Sequence, residues 1–268
     1  MSINRKNSAI GVFDSGLGGL TVVKELIHQL PSENIVYFGD TARVPYGTKS
    51  KETIIRFSQE NTMVLLDYRV KMIVVACNSS SSYAISNLER TFNIPIIGVI
   101  GPGSQKAAEN TKNGRVGVIA TSATIASGKY DDTIRRIDKN IKVFSKACPM
   151  FVPLVEQGWI RKKVTEDIAL EYLIELKNKN VDTLILGCTH YPLLKEVIQK
   201  VMGGKVSLID SAETVAAQVR NILEKENITR TREEKPRHRF IVSDKPQNFK
   251  DIANTFLGYS IKDVILRK

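Results

Sequence analysis

The sequence predicts an α/β protein made of two similar, doubly wound parallel-sheet lobes that face each other across one site. Short apolar, β-branched runs alternate with longer amphipathic segments along the chain, an order typical of parallel sheets covered by helices on both faces. Two apolar runs end alike, on Cys77 and on Cys188, each followed by small polar residues. More than a hundred positions separate the two cysteines, which indicates two related halves rather than a short repeat.

The predicted elements follow from the pattern of apolar residues. Helical spacing is clearest over 19–30, where Leu20, Val23 and Ile27 recur on one face, and over 165–179. Near-continuous apolar runs of strand length separate the helical segments. These runs predict strands over residues 9–14, 34–39, 71–76, 94–99, 115–120, 142–147, 182–187, 205–210 and 239–244.

A glycine-rich loop, DSGLGGLT, follows the first predicted strand. It departs from the dinucleotide-binding pattern G-x-G-x-x-G, because Thr21 stands where the third glycine belongs, and it has no Walker A pattern. Asp14 would also repel a phosphate. The loop can instead open a helix whose N-terminal amides, with Ser15, meet a carboxylate, and Asp14 is then left to contact an ammonium or to poise a base. A tight turn with a satisfied Asp14 remains the alternative.

Composition places the chain among ordinary globular enzymes. It has 268 residues, of which 42% are hydrophobic and 25% charged, enough for one or two domains. Asp14 interrupts the apolar stretch after the basic first residues, so no secretory signal is indicated. No run is long enough for a membrane helix. We therefore expect a cytoplasmic protein with no membrane partner.

The formal net charge of +11 leaves one alternative open. A basic balance is typical of nucleic-acid binding, but it also arises from solubility or from attraction of a small anionic substrate. The densest basic stretch, 224–239, mixes in four glutamates and has no aromatic residues, which favours a solvated linker. A nucleic-acid partner is thus not favoured, although a basic, non-catalytic binding protein stays the alternative from another class.

Three cysteines without close spacing argue against a disulfide framework or a C-x-x-C site. Cys148 has the surroundings of a core residue, the usual place of a cysteine. Cys77 and Cys188 differ, because each follows a predicted strand and precedes polar residues. Ligands of open α/β sheets bind beyond the carboxyl ends of the strands. Two facing sheets would therefore place one thiol on each wall of a site.

Single-thiol and metal chemistries explain this pair poorly. A Cys–His hydrolase would leave one thiol without a role. A metal site needs three or four ligands, yet His28 lies among apolar helix residues and His238 in the charged linker, so we expect no metal. A cysteine phosphatase would need an arginine soon after its nucleophile, and none follows Cys77.

Two opposed thiols suit proton exchange at a carbon stereocentre. One thiolate removes the proton, and the other thiol delivers one from the opposite face. The carbanion formed beside a carboxylate needs hydrogen-bond donors, and Asn78, Ser79 and Thr189 have suitable side chains. An imidazole beside a thiol favours the thiolate, and His190 stands two positions after Cys188. This is the chemistry of a cofactor-independent racemase.

Six stretches point to a known family. They are GVFDSGLGGLTV (11–22), YFGDTARVPYG (37–47), VACNSSSSYA (75–84), FVPLVEQG (151–158), LILGCTHYPLL (184–194) and RFIVSDKPQNFKDIANTFLG (239–258). Through them the chain resembles the glutamate racemases along its whole length. The first two stretches separate it from aspartate racemases, hydantoin racemases and arylmalonate decarboxylases of the same superfamily.

The resemblance implies roles for particular residues. Cys77 would take the α-proton of D-glutamate with the assistance of Asp14. Cys188 would take the α-proton of L-glutamate with the assistance of His190. Substrate contacts would come from Asp14, Ser15, Tyr46, Gly47, Asn78, Ser79, Thr189 and His190.

The resemblance is weaker at the edge of the site. Thr121 and Thr124 resemble a carboxylate-binding segment, and Glu156 would lie close to the site. At Ser79 the family usually has threonine, so this chain keeps the hydroxyl but loses a methyl group and some rotamer stiffness. We expect activity to survive, with binding or rate modestly altered.

The family also implies a setting. No cofactor is expected, pyridoxal phosphate included; the partners would be the substrate glutamate and a second copy in a homodimer. The product D-glutamate would serve peptidoglycan synthesis in a bacterial cytoplasm. The first lobe would comprise residues 1–97 and 212–268, and the second lobe residues 98–211. A sister enzyme of the superfamily, such as an aspartate racemase, remains the alternative.

Overall fold

The strands of the chain form two separate parallel sheets. The computed structural model describes residues 5–231 and 234–267. Within these ranges the strands are β1 (Ile10–Asp14), β2 (Ile35–Gly39), β3 (Met72–Val75), β4 (Ile96–Gly98), β5 (Arg115–Ala120), β6 (Lys142–Ala147), β7 (Thr183–Gly187), β8 (Ser207–Asp210), β9 (His238–Val242) and β10 (Val264–Leu266). All nine predicted strands are confirmed, and β10 is additional.

Helices connect the strands and cover the sheets. They are α1 (Leu20–Gln29), α2 (Lys51–Asp67), α3 (Asn78–Tyr83), α4 (Ile85–Thr91), α5 (Ile100–Asn110), α6 (Ser122–Ala126), α7 (Lys129–Ile137), α8 (Phe151–Glu156), α9 (Lys163–Asn178), α10 (Lys195–Met202), α11 (Ser211–Lys225) and α12 (Pro246–Leu257). The helices predicted over 19–30 and 165–179 are α1 and α9. Side-chain caps mark several starts: Ser50 accepts from the backbone N–H of Thr53 at α2, and Asp210 accepts from that of Ala212 at α11.

The first sheet has the strand order β10-β9-β2-β1-β3-β4, and the second has β6-β5-β7-β8. Every neighbouring pair is parallel. Strands β1, β2, β3 and β7 are buried along their whole length, as expected for strands with helices on both faces. The predicted class, two doubly wound α/β lobes, is confirmed.

Each sheet has a point at which the order of its strands reverses. In the first sheet β2 lies on one side of β1 and β3 on the other; in the second, β6 lies on one side of β5 and β7 on the other. Such switch points open a crevice beyond the carboxyl ends of the two central strands. The crevices of this chain therefore lie after β1 and β3 in one sheet and after β5 and β7 in the other.

Helix α11 connects the second sheet back to the first. It follows β8 directly and packs along α1, where the Arg220 guanidinium donates to the carbonyl of Gln29 (2.9 Å) and the Gln29 amide donates to the carbonyl of Glu213 (3.2 Å). One hydrophobic cluster runs through this junction, with Leu26 of α1, Val219 of α11 and Leu186 of β7 all fully buried. The lobe boundaries at 97/98 and 211/212 stay a prediction.

Most of the described residues in the stretch 224–239 are exposed, as predicted for a solvated linker, but Ile228 and Arg230 are buried. Arg230 is only 7% exposed, and its backbone N–H donates to the Glu33 carboxylate (2.8 Å). The second oxygen of Glu33 pairs with the buried ammonium of Lys71 (2.5 Å), which also donates to the carbonyl of Ile228 (2.8 Å). The buried charges of Lys71 and Glu33 are stable only because each has a partner. Lys71 and Glu33 are 38 positions apart in the chain.

The placement of His238 in that linker was wrong. His238 opens β9, half-buried, in register with Ile35 of β2. His28 lies in α1 as expected, with its side chain 81% exposed. Among the described residues, no helix has the length and apolarity to cross a membrane.

Candidate active site

The first wall of the site lies at the switch point of the first sheet. Asp14 ends β1, and Cys77 follows β3 after one alanine. Both side chains are buried: Asp14 is 0% exposed and Cys77 5%. The parallel pairing of β1 with β3 places their carboxyl ends side by side, which is why residues far apart in sequence meet here.

The second wall repeats this arrangement in the second sheet. Thr121 follows β5 and caps α6, accepting from the backbone N–H of Thr124 (3.4 Å). Cys188 follows β7 directly and is 6% exposed. Because β5 and β7 are adjacent and parallel, the two walls have the same design.

Both thiols face one small cavity between the lobes. Its volume is about 20 Å³, roughly the room that one water needs. An amino acid can therefore bind only when the walls move apart. The lining residues are Ser15, Val44, Pro45, Tyr46, Gly47, Cys77, Asn78, Ser79, Thr121, Val152, Cys188, Thr189 and His190.

Three of the predicted site residues stand behind the lining. Asp14 accepts from the Thr189 hydroxyl of the opposite wall (3.4 Å) and from the backbone N–H of Gly16 (3.1 Å). Thr124 touches the lining through its hydroxyl, and Glu156 through His190. The structure thus brings together all the side chains that were predicted for the site, ten of them in the lining.

The environment of Cys77 disfavours its thiolate. Burial raises the pKa of Cys77 to about 12, and the nearby charge of Asp14 acts in the same direction. Burial also raises the pKa of Asp14, against the opposing effect of His190. The first wall therefore holds a protonated Cys77 thiol beside Asp14, whose ionised form is favoured by a cationic neighbour.

The environment of Cys188 is different. Its Sγ lies 3.9 Å from Nδ1 of His190, and Nε2 of the same ring lies 3.2 Å from the Glu156 carboxylate. Burial opposes the charging of His190, but the contacts with Cys188 and Glu156 prevail and raise the pKa of His190 to about 10. An imidazolium then donates on both sides, to a sulfur and to a carboxylate. The phenyl ring of Phe256 packs edge-on against it, with centroids 5.6 Å apart.

The contact between His190 and Glu156 predicts how stability depends on pH. The pKa of His190 lies above the unfolded value of about 6.5, so its contribution to the free energy of unfolding is complete below about pH 6.5. It is lost as the pH rises through about 10. In Glu156→Gln the imidazolium has lost its carboxylate. We expect the difference in melting temperature between wild type and Glu156→Gln to shrink from about pH 6.5 to about pH 10.

Thermal unfolding at several pH values measures this difference. Glu196→Gln is the matched control, because Glu196 forms an exposed ion pair with Arg161, and such a pair contributes little to stability. A gap between wild type and Glu156→Gln that stays constant over the whole range would show that His190 does not depend on Glu156.

Hydroxyl groups cluster where the two walls meet. The Ser79 hydroxyl lies 3.0 Å from that of Thr121 and 3.3 Å from that of Thr124, and the two threonine hydroxyls are 3.0 Å apart. Ser79 comes from the first lobe and the threonines from the second. The serine that stands in place of the family's usual threonine thus keeps its hydroxyl in this cluster.

Tyr46 and Gly47 reach the cavity from the loop after β2. The Tyr46 phenol donates to the buried Asp40 carboxylate and accepts from the Asn61 amide (3.0 Å). Its hydroxyl is therefore occupied within the first lobe. Gly47 packs so closely on Thr121 that an added Cβ would lie 2.7 Å from the Cβ of Thr121.

The sequence did not indicate five residues of this region. Val44, Pro45 and Val152 line the cavity, and no polar signal marked them. Gly18 lies directly against Thr189 and His190, inside the DSGLGGLT loop that was noticed for its other residues. Tyr130 donates to Asn78 from α7, and nothing near it in sequence indicates this contact.

The third cysteine behaves as predicted. Cys148 is 0% exposed, lies in the main hydrophobic cluster and is absent from the cavity lining. All three thiols are free in the described part of the chain. Among the same residues, no group of three or more histidine, cysteine or acidic side chains could hold a metal ion.

Comparisons with known proteins agree with this geometry. The family model described as Asp/Glu/Hydantoin racemase matches residues 10–219. A glutamate racemase of Geobacter metallireducens is 50% identical over 256 residues, which cover 96% of this chain and 95% of that protein. A glutamate racemase structure from Bacillus anthracis superposes with a TM-score of 0.95 at 41% identity, and one from Francisella tularensis in complex with D-glutamate with 0.92 at 40%. Both alignments cover 98% of either chain.

Proposed function

Because the chain belongs to the Asp/Glu/hydantoin racemase family, in its glutamate racemase branch, we propose that it interconverts L- and D-glutamate with two cysteine bases and no cofactor. Family membership makes the chain an isomerase. One observation carries the mechanism: Cys77 and Cys188, from two different sheets, line a single cavity.

The proposed reaction is a proton exchange between two faces of one carbon. A thiolate takes the α-proton, so that the Cα–H bond breaks and an S–H bond forms. The electron pair is delocalised into the α-carboxylate, which gains negative charge. The opposite thiol then gives its proton to the other face and becomes a thiolate. Exchange of protons with solvent resets the two sulfurs.

On the first wall, Cys77 is the proposed base for D-glutamate. Its raised pKa keeps it a thiol before substrate arrives. The α-ammonium of glutamate beside Asp14 would place a positive charge near both groups. An opposite charge within a few ångströms favours the ionised form of a group. Substrate binding itself would thus help Cys77 to lose its proton, with Asp14 as the assisting carboxylate.

On the second wall, Cys188 is the proposed base for L-glutamate. The His190 imidazolium contacts its sulfur and is held in turn by Glu156. A cationic imidazole favours a neighbouring thiolate. His190 is also well placed to move the proton between Cys188 and the site.

The two carboxylates of glutamate would be held by donors from both lobes. Side chains of Asn78, Ser79 and Thr189 lie beside the thiols, where the α-carboxylate gains charge. The hydroxyls of Thr121 and Thr124, which lie 3.0 Å apart, are the proposed contact for the distal carboxylate. Ser15, Tyr46 and Gly47 complete the lining.

Racemisation of glutamate enantiomers tests the function. We expect the purified protein, with no cofactor added, to abolish the circular dichroism of either L- or D-glutamate and to leave aspartate unchanged. Turnover of aspartate without glutamate would assign the sister activity instead. If the protein racemises none of the amino acids in a panel, the proposal is contradicted.

The setting follows from the same resemblance. We propose that the protein acts in the bacterial cytoplasm as a homodimer and supplies D-glutamate for peptidoglycan. Sedimentation velocity measures the assembly, and a monomer at all concentrations would contradict it.

A further inference from the structure

Tyr130 is a buried polar side chain at the site that the proposed mechanism leaves without a role. It lies in α7 of the second lobe and is 2% exposed. Its hydroxyl donates across the junction to Oδ1 of Asn78 in the first lobe (2.7 Å). It also lies 3.4 Å from the hydroxyl of Ser211, at the start of α11. Tyr130 itself is not part of the cavity lining.

The contact determines which end of the Asn78 side chain is engaged. The Tyr130 hydroxyl donates to Oδ1, so the carboxamide oxygen faces Tyr130. The other end, Nδ2, is buried and has no hydrogen-bond partner among the described residues. Asn78 is 3% exposed and lines the cavity together with both thiols.

A buried, unpartnered amide group is costly and uncommon in folded proteins. At a binding site it indicates a donor that is reserved for a ligand acceptor. A carboxylate is such an acceptor, and its bond with the amide strengthens as charge develops on its oxygens. Asn78 can act in this way only while its carboxamide is held in one orientation.

We propose that Tyr130 is a positioning residue that holds the Asn78 carboxamide with its Nδ2 donor toward the substrate carboxylate. The inference rests on the proposed racemase function and deepens it. Without the phenol hydroxyl, the carboxamide can rotate by half a turn and present its oxygen to the substrate, where it repels a carboxylate.

The contact also joins the two lobes. Tyr130 lies in α7, between β5 and β6 of the second sheet, whereas Asn78 follows β3 of the first. The second lobe thus holds a side chain that the first lobe presents to the cavity. Burial raises the pKa of Tyr130, so the phenol stays a hydrogen-bond donor throughout the neutral range.

A double-mutant cycle on kcat/KM tests this role. Loss of one donor to a developing anion typically costs about 10²–10³ in rate; we expect a loss of this size for Asn78→Ala and about tenfold for Tyr130→Phe. In the Asn78→Ala background, Tyr130→Phe should add less than about twofold, because it acts through the missing group. Tyr172→Phe, which deletes a hydroxyl near Met150, is the control and should match wild type.

Two outcomes overturn the inference. Multiplicative losses in the cycle would show that Tyr130 acts independently of Asn78, as a merely structural tyrosine would. The second readout needs no turnover: the side-chain NH₂ resonances of Asn78, assigned by their loss in Asn78→Ala, should shift in Tyr130→Phe and stay in place in Tyr172→Phe. Resonances that do not move would refute the orientation, whereas a wild type inactive on glutamate would instead refute the proposed function.

Discussion

Replacing either site cysteine by serine is expected to lower the rate of glutamate racemisation by about 10³-fold. A serine hydroxyl fits the same space but is far too weak an acid to act as base or acid here, and a positioned proton-transfer group contributes about 10²–10⁴-fold. Both Cys77→Ser and Cys188→Ser should fail, since each direction of the reaction uses both groups. Loss of circular dichroism of each enantiomer measures the rates.

Deuterium incorporation separates two bases from one. In D₂O, the product formed early by the wild type should carry deuterium at Cα, while the remaining substrate keeps its protium. Deuterium in the recovered substrate would indicate a single base that serves both faces. Cys148→Ser is the matched control, because Cys148 is buried in the core outside the cavity. It should lose some stability and keep its turnover.

The second large effect is expected at Gly18. A Cβ at this position would lie 2.2 Å from the hydroxyl oxygen of Thr189 and 2.6 Å from Nδ1 of His190, far inside van der Waals contact. The added methyl group must therefore displace the side chains of Thr189 and His190. A displacement of about 1 Å at a catalytic group can cost about 10²-fold in rate. We expect Gly18→Ala to lower kcat by about that factor.

The reason lies in the contact between His190 and Cys188. The His190 ring has the Cys188 sulfur and the Glu156 carboxylate on either side, so any shift of the ring weakens one of them. Gly101→Ala is the control: a Cβ there has no neighbour within 4 Å, and alanine suits its place in α5. Steady-state kinetics with both enantiomers decides the matter. Full activity in Gly18→Ala would show that the Thr189–His190 segment tolerates displacement.

Local patterns explain which elements could be predicted. Strands such as β1 and β7 are continuous apolar runs because both faces of each sheet are covered. The strand β10 was missed because its three apolar residues stand between Asp263 and Arg267. The equally short β4 lies within a longer apolar run. His238 was misplaced because its charged neighbours in sequence concealed that β9 begins there and pairs with β2.

Some residues of the candidate site could be predicted from local patterns, and others could not. Cys77, Cys188, Asp14 and His190 stand at strand ends in distinctive motifs, so their place at the site was readable. Glu156 was expected nearby only through resemblance, and the structure shows its contact with His190. The role of Tyr130 could not be predicted, because its partner Asn78 is 52 positions away and a single tyrosine in a helix belongs to no motif.

The sequence by itself determined the α/β class, the positions of nine of the ten described strands, and a pair of strand-end thiols suited to exchanging a proton. Periodicity and local motifs suffice for these features, because each depends on residues close together in the chain. Only the tertiary structure decided that both thiols share one cavity, that His190 is held between Cys188 and Glu156, and that Tyr130 reaches Asn78 across the lobes. These contacts arise when two sheets close on each other, and burial then shifts the pKa values of the groups enclosed between them.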